Sequence, residues 1–195
     1  MNVDVSHINN ARIFIFEGIA GSGKDTIQNE LIEYFNKNNF LVYAFSEEEL
    51  LFSWKHFWIK NIDMLRIQYL HSLLDYCEEL LEKNEKTVVI LNRFHITCAI
   101  TSRYNDKPKK LYDKLIDRLR YLPVHTFIGK LSLDNIERRA SHSERKEEIW
   151  RIHQQKRIRW ANARSLFELY KDEQETAFKI IEEQGIPYSI FELDR

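Results

Sequence analysis

The chain has 195 residues, enough for one domain with a sizeable core, and its 29 basic and 30 acidic residues leave a formal charge of −1 at pH 7. That balance supplies no overall basic field of the kind sequence-independent nucleic-acid binding needs, and no apolar run reaches membrane-spanning length. The expectation is a single domain over 1–195 with neither nucleic acid nor membrane as partner. It is a cytoplasmic one, since Met1 to His7 lacks a basic start followed by an apolar core.

Arg12-Ile13-Phe14-Ile15-Phe16 is a short apolar run suited to a buried strand, and a helical pattern opens at Lys24. Between them lies Glu17-Gly18-Ile19-Ala20-Gly21-Ser22-Gly23. Of the five glycines in the chain, three fall within six positions here, so the demand for unusual backbone freedom is local. Glycines at this spacing let successive N–H groups turn inward around an anion, while the following helix aims its positive end at the same place. Strand, glycine loop, lysine and helix in that order predict a nucleoside triphosphate site made by Gly18, Ala20, Gly21, Ser22, Gly23, Lys24, Asp25 and Thr26. The motif normally places Ser or Thr directly after the lysine as a Mg²⁺ ligand. This chain has Asp25 there and Thr26 one place later, so both stand as candidates for the metal.

Ile27, Leu31, Ile32 and Phe35 recur at helical spacing, Asn36 to Asn39 ends that helix, and Phe40–Phe45 reads as a second buried strand. Strand, helix and strand so close together form the βαβ unit of a parallel sheet. Phe52, Trp54, Phe57 and Trp58 lie in a loop and short helix, where they either pack or stack on a base. Ile62, Leu65, Tyr69, Leu70, Leu73, Leu74, Cys77, Leu80 and Leu81 mark one face of a long helix. Arg66 and Gln68, off that stripe, are open to solvent or to substrate.

A third strand, Thr87–Leu91, ends in Asn92-Arg93-Phe94-His95, at the carboxyl edge where ligands bind in open α/β sheets. Arg93 suits a phosphate or a carboxylate there. Lys107-Pro108-Lys109-Lys110 is expected to break the next helix, which resumes to Leu122 before a fourth strand, Val124–Gly129. Beyond Ser132 the chain is helical and charged, with Arg138, Arg139 and Arg145 near a Ser/His patch. A long helix through Trp150 and Trp160 to Leu169, a shorter one ending near Gly185, and a fifth strand from Tyr188 to Leu193 follow. Cys77 and Cys98 have no metal-ligand spacing and read as reduced, packed thiols. His95, His125 and His142 carry no assignment.

No guanine-reading Asn-Lys-x-Asp is found after the third strand, and that strand lacks a terminal acid, which weakens GTPase and motor-ATPase readings. Phe16-Glu17-Gly18-Ile19-Ala20-Gly21-Ser22-Gly23-Lys24 resembles the opening motif of the thymidylate kinase family, a group of nucleoside-monophosphate kinases. Arg66-Ile67-Gln68 is similar to its Arg-x-Gln element, Asn92-Arg93-Phe94 to its Asp-Arg-Tyr, and Pro123 to Ile128 to its Pro-Asp-Leu-Thr-Ile-Tyr strand.

The resemblance implies a three-layer α/β P-loop kinase fold with a five-stranded parallel sheet and a helical lid near 138–146. It also implies ATP and Mg²⁺ as cofactors and a small nucleotide or nucleoside as acceptor. Lys24, Arg93, Arg139 and Arg145 then act on the transferring phosphoryl group, and Phe52, Arg66, Gln68 and Arg93 face the acceptor. Glu47 falls at the family's glutamate position, although the arginine and glycines around that position are replaced. In nucleoside kinases a glutamate after the second strand serves as the base, so a deoxynucleoside kinase stays open. A nucleotide-binding regulatory module without transfer also stays open, and so does pairing into a homodimer.

Overall fold

The computed structural model describes residues 8, 10–46, 62–101, 106–141 and 148–192. Five parallel strands form one sheet in the order β2-β3-β1-β4-β5. They are β1 (Ile13–Glu17), β2 (Leu41–Phe45), β3 (Thr87–Asn92), β4 (Val124–Lys130) and β5 (Tyr188–Glu192). The helices are α1 (Lys24–Lys37), α2 (Ile62–Lys83), α3 (His95–Thr101), α4 (Asp106–Tyr121), a single turn α5 (Leu133–Asn135), α6 (Glu148–Ala161) and α7 (Leu166–Gln184). Between α5 and α6 runs a π-helical stretch, Ile136–Ser141.

The two faces of the sheet claim alternate residues of the same strands. Ile13, Ile15, Val89 and Leu91 pack with Leu70, Leu74, Leu115 and Ile181 from α2, α4 and α7. Phe14, Phe16, Val88 and Ile90 pack with Ile27, Leu31 and Phe35 of α1 on the other side. This gives the three layers, and it explains why β1 and β3 read as unbroken apolar runs instead of alternating. Full burial of one such side chain is worth about 1.5–3 kcal/mol. Glu17, fully buried at the end of β1, is therefore a polar residue that needs a structural or functional reason.

In the register, Phe16 stands opposite Asn92 on β3 and opposite Phe127 on β4. The chain departs from β1 toward β2, beyond β3, and later crosses from β3 over β1 to β4, so the order reverses around β1. Ligand crevices of open α/β sheets form at the carboxyl ends of strands at such a point.

Several sequence expectations need correction. Phe40–Phe45 reads as buried, yet β2 is an edge strand with Leu41 46% exposed. Apolarity marks a strand but does not fix its place in the sheet. On α2, Leu65 is 49% exposed while Arg66 and Ile67 are buried, so the buried side of the helix does not include Leu65, where the pattern puts it. Lys107 to Lys110 does not break a helix but lies in the first turn of α4. Proline is tolerated there because its missing N–H would have no partner in the helix anyway.

The long helix expected to reach Leu169 stops at Ala161. Asn162 takes a left-handed φ of 57°, and α7 then starts afresh from Ser165, whose hydroxyl accepts from the Glu168 amide. The Glu168 carboxylate accepts in return from the Arg164 amide at 2.6 Å, a reciprocal cap that fixes the new start.

Candidate functional site

The site is built where β1 runs out. Gly18 has φ 129°, and a Cβ there would lie 2.8 Å from the Gly129 carbonyl oxygen on β4. The loop can therefore cross β4 only as glycine. Ser22, fully buried, fills the space between the two: a Cβ on Gly129 would stand 2.5 Å from its Oγ. The crest of the loop, Ala20 and Gly21, is left half-buried and exposed.

Gly23 begins α1 in the left-handed region, φ 86°, and the helix has no side-chain cap, whereas α5 and α7 start from serine caps. An uncapped first turn keeps its donors and its positive end for another partner. Lys24 is 5% exposed and its Nζ donates to the Ile19 carbonyl oxygen at 3.0 Å. Its ammonium thus rests on the loop's own backbone, within the cradle an anion would fill.

The end of β3 meets this loop. The Arg93 amide donates to the Phe16 carbonyl oxygen at 2.8 Å, and Arg93 itself is held at φ 67°. Asn92 Nδ2 donates to Asp25 Oδ1 at 2.8 Å, tying the strand end to the start of α1. Asp25, not Thr26, is the residue seen in that contact. Glu17 then fastens the turn into α3. One carboxylate oxygen, Oε1, accepts from the amides of Phe94, Ile96 and Thr97 at 2.8, 3.0 and 3.3 Å, and Oε2 accepts from the Thr97 hydroxyl at 2.5 Å. Burial raises the Glu17 pKa above the usual carboxylate range, against the pull of these hydrogen bonds and of the Arg93 charge.

A small cleft opens beside this clamp, lined among others by Glu17, Gly18, Arg93, Thr101, Arg157 and Glu173. Arg157 of α6 is paired with Glu173 of α7 and sits over the Tyr170 ring, with 5.6 Å to its centroid. Arg93 and Arg157 thus face one space.

The remaining predicted residues divide. Arg66 is buried and lies 3.8 Å from Asp63, whereas Gln68, two residues on, is exposed. Positions two apart on a helix point in different directions, so the Arg-x-Gln pair does not share a face. Arg139 falls in the π-helical stretch, and Arg138 donates to Asn135 at 2.9 Å on the surface. Glu47, Phe52 and Arg145, with Trp54, Phe57, Trp58 and His142, lie outside the described residues. Neither cysteine is in a disulfide, both are buried, and burial pushes the Cys77 thiol up to about 12.

Three residues of the site escape the sequence reading. Glu17 is visible as an acid closing an apolar strand, and Gly129 as a glycine inside a strand, a sign of close backbone approach. Arg157 stands among many charges and carries no signal.

Among the described residues no three of His, Cys, Asp and Glu gather into a cation cage. Mg²⁺ does not need one. It keeps several waters and takes one or two carboxylates plus phosphate oxygens, which suits the exposed Asp25 beside the glycine loop.

Neither a family model nor a curated protein sequence matches the chain. Solved structures do. The thymidylate kinase of Ehrlichia chaffeensis is similar over 93% of both chains, with 20% identity and a TM-score of 0.55. The YorR protein of Bacillus subtilis, in complex with phosphorylated GDP, is similar over 92% of this chain and 85% of its own, with 16% identity and a TM-score of 0.50. The fold is thymidylate kinase-like. Within this fold the uncapped α1, Lys24, Asp25 and the Asn92-Arg93 strand end converge on the crevice at the carboxyl edge of β1. No described helix is long and apolar enough to cross a membrane.

Proposed function

We propose that this chain is a nucleotide kinase that transfers the γ-phosphoryl group of ATP, with Mg²⁺, to a (deoxy)nucleoside monophosphate in the manner of thymidylate kinases. The observation that carries the reading is the joining of the glycine loop and its buried lysine to the Asn92-Arg93 strand end, through the Asp25–Asn92 hydrogen bond and the Arg93–Phe16 backbone bond. A thymidylate kinase and a protein holding phosphorylated GDP share the fold, which supports a nucleotide as ligand.

Phosphoryl transfer leaves the protein little covalent work: it must align donor and acceptor and neutralise charge on the equatorial oxygens. The loop amides and the first turn of α1 bind the phosphate tail. Lys24 exchanges the Ile19 carbonyl for the β- and γ-oxygens. Asp25, with Thr26 as the second candidate, would hold Mg²⁺, which would supply charge neutralisation for the phosphate tail. Arg93, its amide held by the Phe16 carbonyl beside the Glu17 clamp, faces the transferring or accepting phosphate, with Arg157 entering the same cleft. Arg139 and Arg145 act from the lid, and Arg66 and Phe52 serve the acceptor, Gln68 lying on another face of α2. If the acceptor is a nucleoside, Glu47 is its base.

The test is transfer of labelled γ-phosphate to a panel of nucleosides and nucleoside monophosphates. Transfer to at least one monophosphate is expected, and Lys24→Ala abolishes it. Turnover of nucleosides alone makes the protein a deoxynucleoside kinase. ATP binding without transfer to any acceptor makes it a nucleotide-binding module.

A further inference from the structure

We infer that the cation site of this chain has exchanged the positions of its charged and neutral ligands: Asp25, after the lysine, supplies the carboxylate, and Asn92, at the end of β3, supplies the neutral partner. The inference rests on the nucleotide-kinase reading. In phosphate loops of the usual kind the residue after the lysine is a hydroxyl and the acid stands on a neighbouring strand. Taken one at a time, Asp25 and Asn92 look like two losses. The 2.8 Å hydrogen bond between them shows that they are one pair, adjacent in space though 67 residues apart, and that the pair keeps one carboxylate.

The orientation of the amide follows from chemistry. Turned the other way, Asn92 would set its oxygen against a carboxylate oxygen, acceptor against acceptor, so Nδ2 must face Asp25. Among the described residues its Oδ1 then has no hydrogen-bond partner, on a side chain only 7% exposed. A buried orphan acceptor carries a desolvation cost that is removed when a donor such as a cation-bound water arrives. Asn92 also holds Oδ1 of Asp25, which leaves the second carboxylate oxygen of an exposed residue for the metal. An amide that orients a ligating carboxylate is the ordinary second-layer support of a metal site.

The exchange makes a prediction the usual arrangement does not. A carboxylate placed next to the phosphate cradle repels a metal-free triphosphate and attracts a metal-bound one, so its removal should shift the two affinities in opposite directions. Calorimetric titration of ATP with Mg²⁺ and with EDTA reads both. In the wild-type protein Mg²⁺ should tighten ATP binding at least roughly tenfold, the lower end of what supporting a metal ligand is worth. Asp25→Asn should bring that ratio near unity, with metal-free ATP bound more tightly than by wild type, and Asp25→Ser/Asn92→Asp should restore the Mg²⁺ dependence. A ratio unchanged in Asp25→Asn, an equal loss in both conditions, or a double variant without Mg²⁺ dependence overturns the inference while the kinase reading stands. If wild-type protein binds ATP in neither condition, the kinase reading falls and the inference with it.

Discussion

Arg93 occupies a backbone region that costs a non-glycine residue roughly 1–2 kcal/mol, and it does so in the turn that joins β3 to α3. Glycine would relieve that strain, so the side chain has to earn its place by what the guanidinium does. Arg93→Gly should therefore fold at least as stably as Arg93→Ala, while both lose transfer by roughly 10²–10³-fold, the effect of removing one transition-state donor. ATP affinity should change far less than turnover, and equal loss of both would mean a structural role. Glu17 presents the opposite case. Glu17→Leu strands four donors that its carboxylate now satisfies and should cost at least about 3 kcal/mol in urea denaturation, whereas Glu17→Gln keeps an acceptor for the three amides and should cost much less.

The phosphate loop and β4 act as one element because Gly18, Ser22 and Gly129 share a single space. In Gly129→Ala the new Cβ would meet Ser22 Oγ at 2.5 Å, Ser22 Cβ at 2.8 Å and the Phe191 ring at 2.9 Å, so loop and strand must separate. A stability loss of about 1–3 kcal/mol and weaker ATP binding should follow, and Ser22→Gly in the same chain should recover part of both, as seen by thermal melts and ATP titration. This contact also shows where legibility ends. The loop, the five strands and the parallel βαβ order follow from local pattern, since apolar runs and glycine spacing are written in consecutive residues. The Gly18–Gly129 crossing, the Asp25–Asn92 pair and the Arg93–Arg157 cleft join residues more than sixty positions apart; the register of β1 against β3 and β4 brings the first two together, and the pairing of Arg157 with α7 the third. The break at Asn162 is hidden for a different reason: helical spacing continues across it, and the signal is a cap, Ser165 with Glu168, three residues further on.

For the molecule as a whole, two buried groups set opposing slopes of stability with pH. His95 on α3 is fully buried, and burial lowers its pKa to about 3, with Gln184 beside it pulling slightly upward. It stands in a chain that ties three helices, Gln184 donating to the Tyr112 hydroxyl at 2.8 Å and that hydroxyl to the His95 carbonyl oxygen at 3.0 Å. The unfolded chain takes up a proton near pH 6.5 that the folded one refuses until about 3. Its contribution to stability therefore falls as pH drops through that window, by up to about 1.4 kcal/mol per unit. Glu17 works the other way. Its raised pKa keeps a proton on the folded form above 4.5, where the unfolded chain has released it, so this group stabilises most below 4.5 and its contribution is lost as pH rises through the folded value. The acid limb above pH 4.5 is then the difference of the two. His95→Gln removes the partner whose contribution falls with acidity, so urea midpoints measured from pH 7 down to pH 4.5 should fall less for the variant than for the wild type, the gap between them narrowing with acidity. Parallel curves would show that His95 does not stay neutral inside the fold.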